Sequence, residues 1–278
     1  MQTIVEFIKL IKAPFSADNY YQALNHSLRK INNEFTMLHY PFFINADDSF
    51  LRAQKNLTDY CISMLGPVKG KRILEIGCGN GIQLLYILRT YEPSFAAGVD
   101  LNYSNISIAL EEKRRENLQN IHFEVNNSQD ISGIEDESFD FVVCIESAFH
   151  YPDKQSFLSE VRRVLKSDGK FLIADLTFSK NKFTLVSKYF RRKLGLFHWT
   201  HERYMEGFKL SNLEIIESSN ITGKVIKGFL RYPYWIDDMK RRKSVNRLNR
   251  FFCKFILKLF IYLLRNRRNY EVFLGQKI

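Results

Sequence analysis

Cysteine is scarce in this chain, which has only four among its 278 residues: Cys61, Cys78, Cys144 and Cys253. None of them forms a C-x-x-C pair or has a close histidine partner, which argues against a disulfide framework and against a zinc site. Reduced thiols in a cytoplasmic protein agree better with this pattern. The sequence therefore predicts a cytoplasmic location and no metal site.

Long uninterrupted apolar runs are also missing. The N-terminal stretch MQTIVEFIKLIKAPF is broken by Glu6, Lys9 and Lys12, and no small-residue cleavage site follows it, so it does not predict a signal peptide. The stretch 251–264 contains two lysines and is too short to span a bilayer. The length of the chain allows one large domain with an elaboration, or two small domains.

Positive charge is confined to one region of the chain. Residues 224–278 contain 15 Lys or Arg and 3 Asp or Glu, a net charge of +12, whereas the other residues together carry −1. Such a patch suits an anionic partner, such as lipid headgroups, nucleic acid or an acidic substrate, and it equally suits a solvated face. Nucleic acid is the least favoured partner because the chain contains no recognisable binding module.

Residues 67–176 alternate apolar strands with amphipathic helices. The pattern predicts strands at 72–77, 95–100, 121–125, 139–145 and 170–176, and helices at 82–91, 103–117 and 154–166. The strand at 139–145 is apolar on both faces, as in the middle of a parallel sheet. Ser104 is expected to cap the second of these helices, and Gly169 is expected to end the third. This alternation is typical of a doubly wound α/β fold.

Helices and two further strands flank that region. Helices are predicted around 4–11, 18–33 and 48–65, and strands at 213–222 and 270–278. The expected division is an N-terminal helical cap at 1–66, a ligand-binding core at 67–222, a basic helical lid or insertion at 223–269 and a final core strand at 270–278.

A glycine turn follows the first strand, in the stretch ILEIGCGNGIQLL (73–85). Its glycines are Gly77, Gly79 and Gly81, and in open α/β sheets ligands bind where such strands end. A nicotinamide-binding motif would need a third glycine at the position of Ile82, and the G-K-[ST] of a phosphate-binding loop is absent. A purely structural turn is the remaining alternative.

Two carboxylates accompany the turn. Glu75 lies just before it, where a carboxylate repels a pyrophosphate and favours a cationic ligand. Asp100 ends the second strand, where an acid can accept hydrogen bonds from both hydroxyls of a ribose.

Four segments between Lys71 and Leu176 carry a family resemblance: EIGCGNG, GVDL, EDESFDFVV and EVRRVLKSDGKFLIADL. Their order and spacing resemble the class I methyltransferases that depend on S-adenosylmethionine (AdoMet). The resemblance implies a Rossmann-like, doubly wound sheet of seven strands and AdoMet as the cofactor. The stretches LHYPFF (38–43), IESAFHYPDK (145–154) and IADL (173–176) are similar to a narrower group, the small-molecule methyltransferases of natural-product and sugar O-methylation.

The same resemblance implies a set of cofactor contacts. The glycines would contact the methionine moiety and the ribose, Glu75 the amino group and Asp100 the ribose hydroxyls. Where the family often has Gly-Asp-Ala, this chain has the residues 127–129, which are Asn-Ser-Gln, with Asp130 nearby as an alternative contact to adenine. The expected cofactor-binding residues are Glu75, Gly77, Gly79, Gly81, Asp100, Leu101, Ser128, Gln129 and Ile145.

Four further residues are candidates for the chemistry. His150 follows the fourth strand and Asp175 lies near the end of the fifth, so both belong to one edge of the sheet. A histidine oriented by an aspartate can act as a general base near neutral pH, as the resemblance to sugar methyltransferases implies, although His150 could equally be part of the pocket wall. Glu146 and Tyr151 are expected to position the acceptor.

We expect AdoMet-dependent methylation of a small, hydrophobic acceptor, most readily at a hydroxyl oxygen. The alternatives are an N-methyltransferase, a membrane-surface enzyme acting on a lipid or quinone, and a non-catalytic AdoMet-binding protein. Residues 244–268 form a basic amphipathic pattern that suits packing on the core, a hydrophobic lid, or contact with an anionic membrane surface. The pattern does not indicate an oligomeric state.

Overall fold

A computed structural model describes residues 17–45, 47–179, 195–228, 230, 254, 258–259 and 261–278. The helices are α1 (Ala17–Asn32), α2 (Phe50–Leu65), α3 (Ile82–Tyr91), α4 (Tyr103–Arg115), α5 (Lys154–Val164) and α6 (His201–Leu210). The strands are β1 (Arg72–Ile76), β2 (Phe95–Asp100), β3 (Ile121–Val125), β4 (Phe139–Ile145), β5 (Leu165–Phe178), β6 (Leu213–Asn220) and β7 (Arg268–Lys277). A 3₁₀ turn covers Ala148–His150, and residues 222–228 and 261–266 are also helical.

The strands form one sheet in the order β3-β2-β1-β4-β5-β7-β6. β1 to β5 pair in parallel, whereas β7 runs antiparallel to both β5 and β6. The strand order reverses between β1 and β4, so the carboxyl ends of these strands border the crevice in which such sheets bind ligands. The predicted Rossmann-like sheet of seven strands is confirmed.

The sheet is buried on both faces, as the apolar composition of β4 predicts. Phe141 and Val143 of β4 belong to the cluster under α2, α3 and α4, and Val142 and Cys144 belong to the cluster under α5 and α6. Helix α5 contributes fully buried apolar side chains, among them Phe157, Leu158 and Val161, each stabilising the fold by roughly 1.5–3 kcal/mol. The core therefore forms two layers, one on each side of the sheet.

Two local predictions were wrong. The cap of α4 is Asn102, whose side chain accepts a hydrogen bond from the backbone N–H of Asn105 at 3.0 Å, and Ser104 lies inside the helix. Helix α5 ends at Val164, and Gly169 lies within β5 instead of ending the helix. Leu165 already has extended backbone angles, because its pairing with Phe139 begins the next strand there.

Several predictions concern residues beyond the described ones. The helix expected around residues 4–11 lies outside the described residues, as does most of the basic lid between 231 and 260. The division of the chain into four segments therefore stays a prediction, although the final strand begins at Arg268, two residues earlier than expected. Cys61, Cys78 and Cys144 are free and buried.

Candidate cofactor and acceptor site

The glycine turn follows β1 and has a backbone that only glycine adopts easily. Gly77, Gly79 and Gly81 have φ angles of 75°, 54° and 75°, in the left-handed region that side chains disfavour. The backbone N–H groups of Gly77 and Cys78 both donate to the carbonyl of Val99, at 2.7 and 3.0 Å. The turn is thereby held against β2 at the edge of the sheet.

Asp100, at the end of β2, fixes the same turn. Its Oδ2 accepts a hydrogen bond from the Gly79 N–H at 3.0 Å, and its Oδ1 accepts one from the Asn102 N–H at 2.9 Å. Burial raises the pKa of Asp100, and these hydrogen bonds oppose that rise. The carboxylate is therefore oriented before any ligand arrives, which is what recognition of a ribose diol requires.

A cavity of about 210 Å³ lies over the turn, at the carboxyl ends of β1, β2 and β4. It is lined by eight of the nine residues expected to bind the cofactor: Glu75, Gly77, Gly79, Asp100, Leu101, Ser128, Gln129 and Ile145. Gly81 does not line it, because this glycine lies where α3 packs on its neighbours. A Cβ atom there would be 2.6 Å from the Cβ of Ala109 and 2.9 Å from the Phe123 ring.

Two unsatisfied buried groups test whether this cavity fits AdoMet. Glu75 is 2% exposed, and its Oε2 has no hydrogen-bond partner in the described part of the chain. The side-chain amide nitrogen of Gln83, which also lines the cavity, is likewise buried without a hydrogen-bond partner in the described residues. A buried acceptor with negative charge and a buried N–H donor complement the ammonium and the carboxylate of an amino acid. The residues therefore fit the methionine moiety of AdoMet, and Gln83 is a candidate contact that the sequence reasoning missed.

The part of the cavity expected to hold adenine is partly exposed to solvent. Leu101 is 70% exposed at its rim, whereas Ser128 is buried. Gln129 is oriented by its hydrogen bond from the Asp153 N–H to its Oε1 at 2.6 Å. Asp130, the alternative contact, is exposed and is absent from the residues that line the cavity. The structure thus favours Ser128 and Gln129 for contact with adenine.

His150 also lines the cavity and has both ring nitrogens engaged. Nδ1 lies 2.9 Å from the carbonyl oxygen of Gly195, which can only accept, so Nδ1 carries the proton. Nε2 lies 2.9 Å from the Tyr21 hydroxyl, which therefore donates to it. Burial lowers the pKa of His150 to about 4, so the imidazole is neutral near neutral pH.

Asp175 does not orient His150, contrary to the predicted pair. Its carboxylate is fully buried and accepts hydrogen bonds from the Phe149 N–H at 3.1 Å and from the Tyr204 hydroxyl at 2.5 Å. Asp175 lies on the sheet face that α5 and α6 cover, and it is absent from the residues that line the cavity. Burial raises its pKa to about 6, and the positive charge of Lys154 opposes that rise. Asp175 therefore holds the backbone beside His150.

Glu146 and Tyr151, the residues expected to position the acceptor, both line the cavity. Glu146 has a φ of 52°, which is strained for a residue with a side chain, and such strain often accompanies function. Its Oε1 accepts hydrogen bonds from the Tyr40 N–H at 2.7 Å and from the Tyr270 hydroxyl at 2.9 Å. Burial raises its pKa to about 8, so the protonated form predominates near neutral pH. The Tyr151 hydroxyl lies 2.7 Å from the Ser147 hydroxyl.

Three tyrosines bind His150 or Glu146 and were missed from the sequence. Tyr21 lies 129 residues from His150, and Tyr270 lies 124 residues from Glu146. Tyr40 falls within the LHYPFF stretch that resembles a cofactor-covering segment, which was the one available signal. The rings of Tyr40 and Tyr270 lie 6.4 Å apart.

A sheet with this strand order, a glycine turn after β1 and an acid after β2 define the Rossmann-like class of AdoMet-dependent methyltransferases. The family model described as a methyltransferase domain matches residues 67–214, just over half of the chain, and the chain belongs to this family. The predictions of a methyltransferase and of AdoMet as its cofactor are confirmed.

Similar proteins include a fatty-acid O-methyltransferase of Mycolicibacterium smegmatis, which is 41% identical over 108 residues that cover 39% of this chain and 38% of that protein. A phthiotriol/phenolphthiotriol dimycocerosates methyltransferase of Mycobacterium tuberculosis is 35% identical over 133 residues, covering 48% of this chain and 47% of that protein. The matched stretch thus spans less than half the length of either relative.

One similar solved structure is phosphoethanolamine N-methyltransferase 2 of Haemonchus contortus, in complex with phosphomonomethylethanolamine and S-adenosylhomocysteine. Its TM-score is 0.76 at 20% sequence identity, and the superposition covers 92% of this chain and 58% of that one. At this identity the similarity shows a shared fold.

Proposed function

We propose that this protein transfers the methyl group of AdoMet to an oxygen atom of a small, hydrophobic, lipid-like acceptor. The observation that carries this proposal is the hydrogen-bonded pair of Tyr21 and His150, both of which line the cavity. Apolar side chains of Met37, Leu38 and Ile145 also line the cavity, which suits an apolar acceptor. The names of the fatty-acid and phthiotriol relatives support a lipid-like molecule.

The chain's own residues orient the reactants and exclude water. When bound, AdoMet supplies a methyl group on a positively charged sulfur, ready for in-line displacement. Glu75 and Asp100 would hold the amino group and the ribose of the cofactor, while the Tyr21 oxygen offers an acceptor position to the incoming substrate. If that substrate is a hydroxyl, Tyr21 can take its proton while passing its own to Nε2 of His150. The low pKa of His150 makes it a weak base, so positioning is the larger part of its role.

The nature of the acceptor atom is tested with three acceptors that share one chain: dodecanoic acid, dodecanol and dodecylamine. Formation of S-adenosylhomocysteine is followed for each. We expect turnover with an oxygen acceptor and little with the amine. Turnover confined to dodecylamine would contradict the proposal and favour the N-methyltransferase alternative.

Loss of the Tyr21–His150 pair should slow turnover and leave cofactor affinity unchanged. We expect Tyr21→Phe and His150→Ala each to lower kcat by roughly 10- to 100-fold, because misplacement of a reacting group has effects of this order. The measurement is kcat with the best acceptor of the panel, together with calorimetric titration by S-adenosylhomocysteine. Tyr20→Phe is the matched control, since Tyr20 neighbours the pair but is not among the residues that line the cavity. Unchanged kcat in both variants would exclude the pair from the reaction.

A second candidate function is methylation of a lipid at a membrane surface, which one exposed face favours. Lys258, Leu259, Tyr262 and Arg265 are all exposed and spaced to share one side of a helix, and residues 254–268 contain no acid. A face of mixed apolar and basic side chains suits an anionic bilayer. Among the described helices, none has both the length and the apolar character needed to cross a membrane.

Sedimentation with vesicles tests this surface. We expect the protein to sediment with phosphatidylglycerol vesicles, to stay in solution with phosphatidylcholine vesicles, and to lose binding at high salt because screening weakens exposed charges. The variant Lys258→Glu/Arg265→Glu should no longer sediment. The control Lys209→Glu/Arg114→Glu makes the same change of charge at two exposed positions elsewhere. Equal binding by both variants would remove the membrane role from this face.

A further inference from the structure

Arg268 begins β7 at the edge of the sheet where the cavity lies. It pairs with Phe178, the last residue of β5, so it stands at the carboxyl end of that strand. Residues two apart in a strand lie on the same face, so Arg268 and Tyr270 share one face of β7. The Tyr270 hydroxyl donates a hydrogen bond to Glu146. The Arg268 side chain thus leaves the sheet on the side of Glu146, a residue of the cavity wall.

The guanidinium of Arg268 has no counter-charge in the described part of the chain. Its Nε atom is buried and lacks a hydrogen-bond partner there, and burial lowers its pKa. Arg163 shows the usual arrangement by contrast, because its side chain lies 2.6 Å from Asp136 and 2.8 Å from Glu160. A buried guanidinium is costly unless an anion neutralises it, so Arg268 is suited to bind an anionic ligand.

The neighbours of Arg268 are compatible with an anion. Burial raises the pKa of the Tyr40 hydroxyl, and the positive charge of Arg268 opposes that rise. The Tyr40 N–H donates a hydrogen bond to Glu146, which the Tyr270 hydroxyl also binds from the Arg268 face of β7. Glu146 would repel an anion if it were ionised. Its raised pKa of about 8 leaves it mostly neutral near pH 7, and Oε1 already accepts two hydrogen bonds.

We propose that Arg268, with Tyr40 beside it, binds a carboxylate group of the acceptor, so that the substrate class is a long-chain carboxylic acid and the product is its methyl ester. This inference rests on the proposed methyl transfer to oxygen. A carboxylate oxygen attacks the methyl carbon, the carbon–sulfur bond of the donor breaks and the sulfur keeps the electron pair. No proton leaves the acceptor, so a strong base is unnecessary, in agreement with the weakly basic His150.

Binding of two matched ligands tests the proposal without reliance on turnover. Dodecanoate and dodecanol are titrated into the whole protein in the presence of saturating S-adenosylhomocysteine. The wild type should bind dodecanoate more tightly than dodecanol. Arg268→Gln should weaken dodecanoate binding by about tenfold or more, the range for a lost charged hydrogen bond, and should leave dodecanol binding unchanged. Arg268→Lys, which keeps the charge, should recover part of the affinity.

The neighbouring variant Arg267→Gln is the control, because Arg267 is exposed and has the same charge. The inference would be overturned by equal wild-type affinity for the two ligands, or by an equal loss of dodecanoate binding in both variants. If Arg268→Gln does not fold, the wild-type comparison still decides. Methylation of dodecanol without preference for the acid would refute the inference while supporting O-methylation, whereas methylation of neither would count against the proposed function itself.

Discussion

Gly77→Ala should abolish cofactor binding. A Cβ atom at this position would lie 1.9 Å from Oγ and 2.4 Å from Cβ of Ser147, and 2.5 Å from the Tyr151 hydroxyl. The φ of 75° adds strain of about 1–2 kcal/mol for a residue with a side chain. The turn must therefore move away from the position that the cofactor needs. We expect the dissociation constant for S-adenosylhomocysteine to rise at least about 100-fold, or ~2.7 kcal/mol, in a calorimetric titration.

Gly133→Ala provides the matched control for that change. A Cβ atom at Gly133 would meet nothing within 4 Å, and this glycine does not have a positive φ. Circular dichroism and thermal unfolding should show that both variants are folded at the temperature of the titration. Binding by Gly77→Ala within about threefold of the wild type, less than 1 kcal/mol, would show that the turn does not carry the cofactor.

The second large effect is a loss of stability when Lys154, which is fully buried, is replaced by an uncharged residue. Its Nζ donates to the carbonyls of Tyr151 and Phe197, on the two segments that flank His150, and its charge stabilises the ionised form of Asp175. Removal of one member of a buried charged pair typically costs about 3–5 kcal/mol. We expect Lys154→Met to lower the free energy of unfolding by this amount in urea denaturation near neutral pH. Asp175→Asn added to Lys154→Met should restore part of the loss.

The loss of unfolding free energy caused by Lys154→Met should depend on pH, and the protonation of Asp175 sets the direction of that dependence. The pKa of Asp175 in the folded protein is about 6, above its usual value of about 3.9, so the folded state binds this proton more tightly than the unfolded state. The free-energy cost of burying the ionised Asp175 carboxylate is therefore absent below about pH 4 and grows as the pH rises. Removal of Lys154 should make that cost larger. The destabilisation by Lys154→Met should shrink as the pH falls from about 7 to about 5, the range in which Asp175 becomes protonated in the folded wild type. A constant loss across that range would mean that Lys154 acts by packing alone.

The sheet was predictable because its signals are local. β2 and β4 begin and end where the apolar runs do, since parallel strands buried on both faces leave polar residues mainly in the loops. The cofactor half of the site was predictable for the same reason. Glu75, the glycine turn and Asp100 lie within 26 residues of one another in sequence, and strand ends place them at one edge.

The acceptor half was predictable only in part, because its contacts join distant segments. A strand end indicates which edge of the sheet a residue occupies, and it does not indicate which face the side chain takes. Asp175 shares its face with Phe171 and Ile173 under α5 and α6, and this alternation separates it from the Tyr21–His150 pair. Gly81 was assigned to the ligand from the family resemblance, whereas the structure places it against Ala109 and Phe123.

A newly made chain cannot close its sheet until residues 268–277 are available, because β7 lies between β5 and β6. Within the described sheet β6 pairs with β7 alone. The hydrogen bond that the Thr177 hydroxyl of β5 donates to Glu271 cannot form until this residue, 94 positions later, has been made. Until then β5 presents an open edge, which invites pairing with other chains, and pairings so distant in sequence form slowly. Tyr270 and Arg268 arrive with β7, so the acceptor end of the site is completed last, after the cofactor turn.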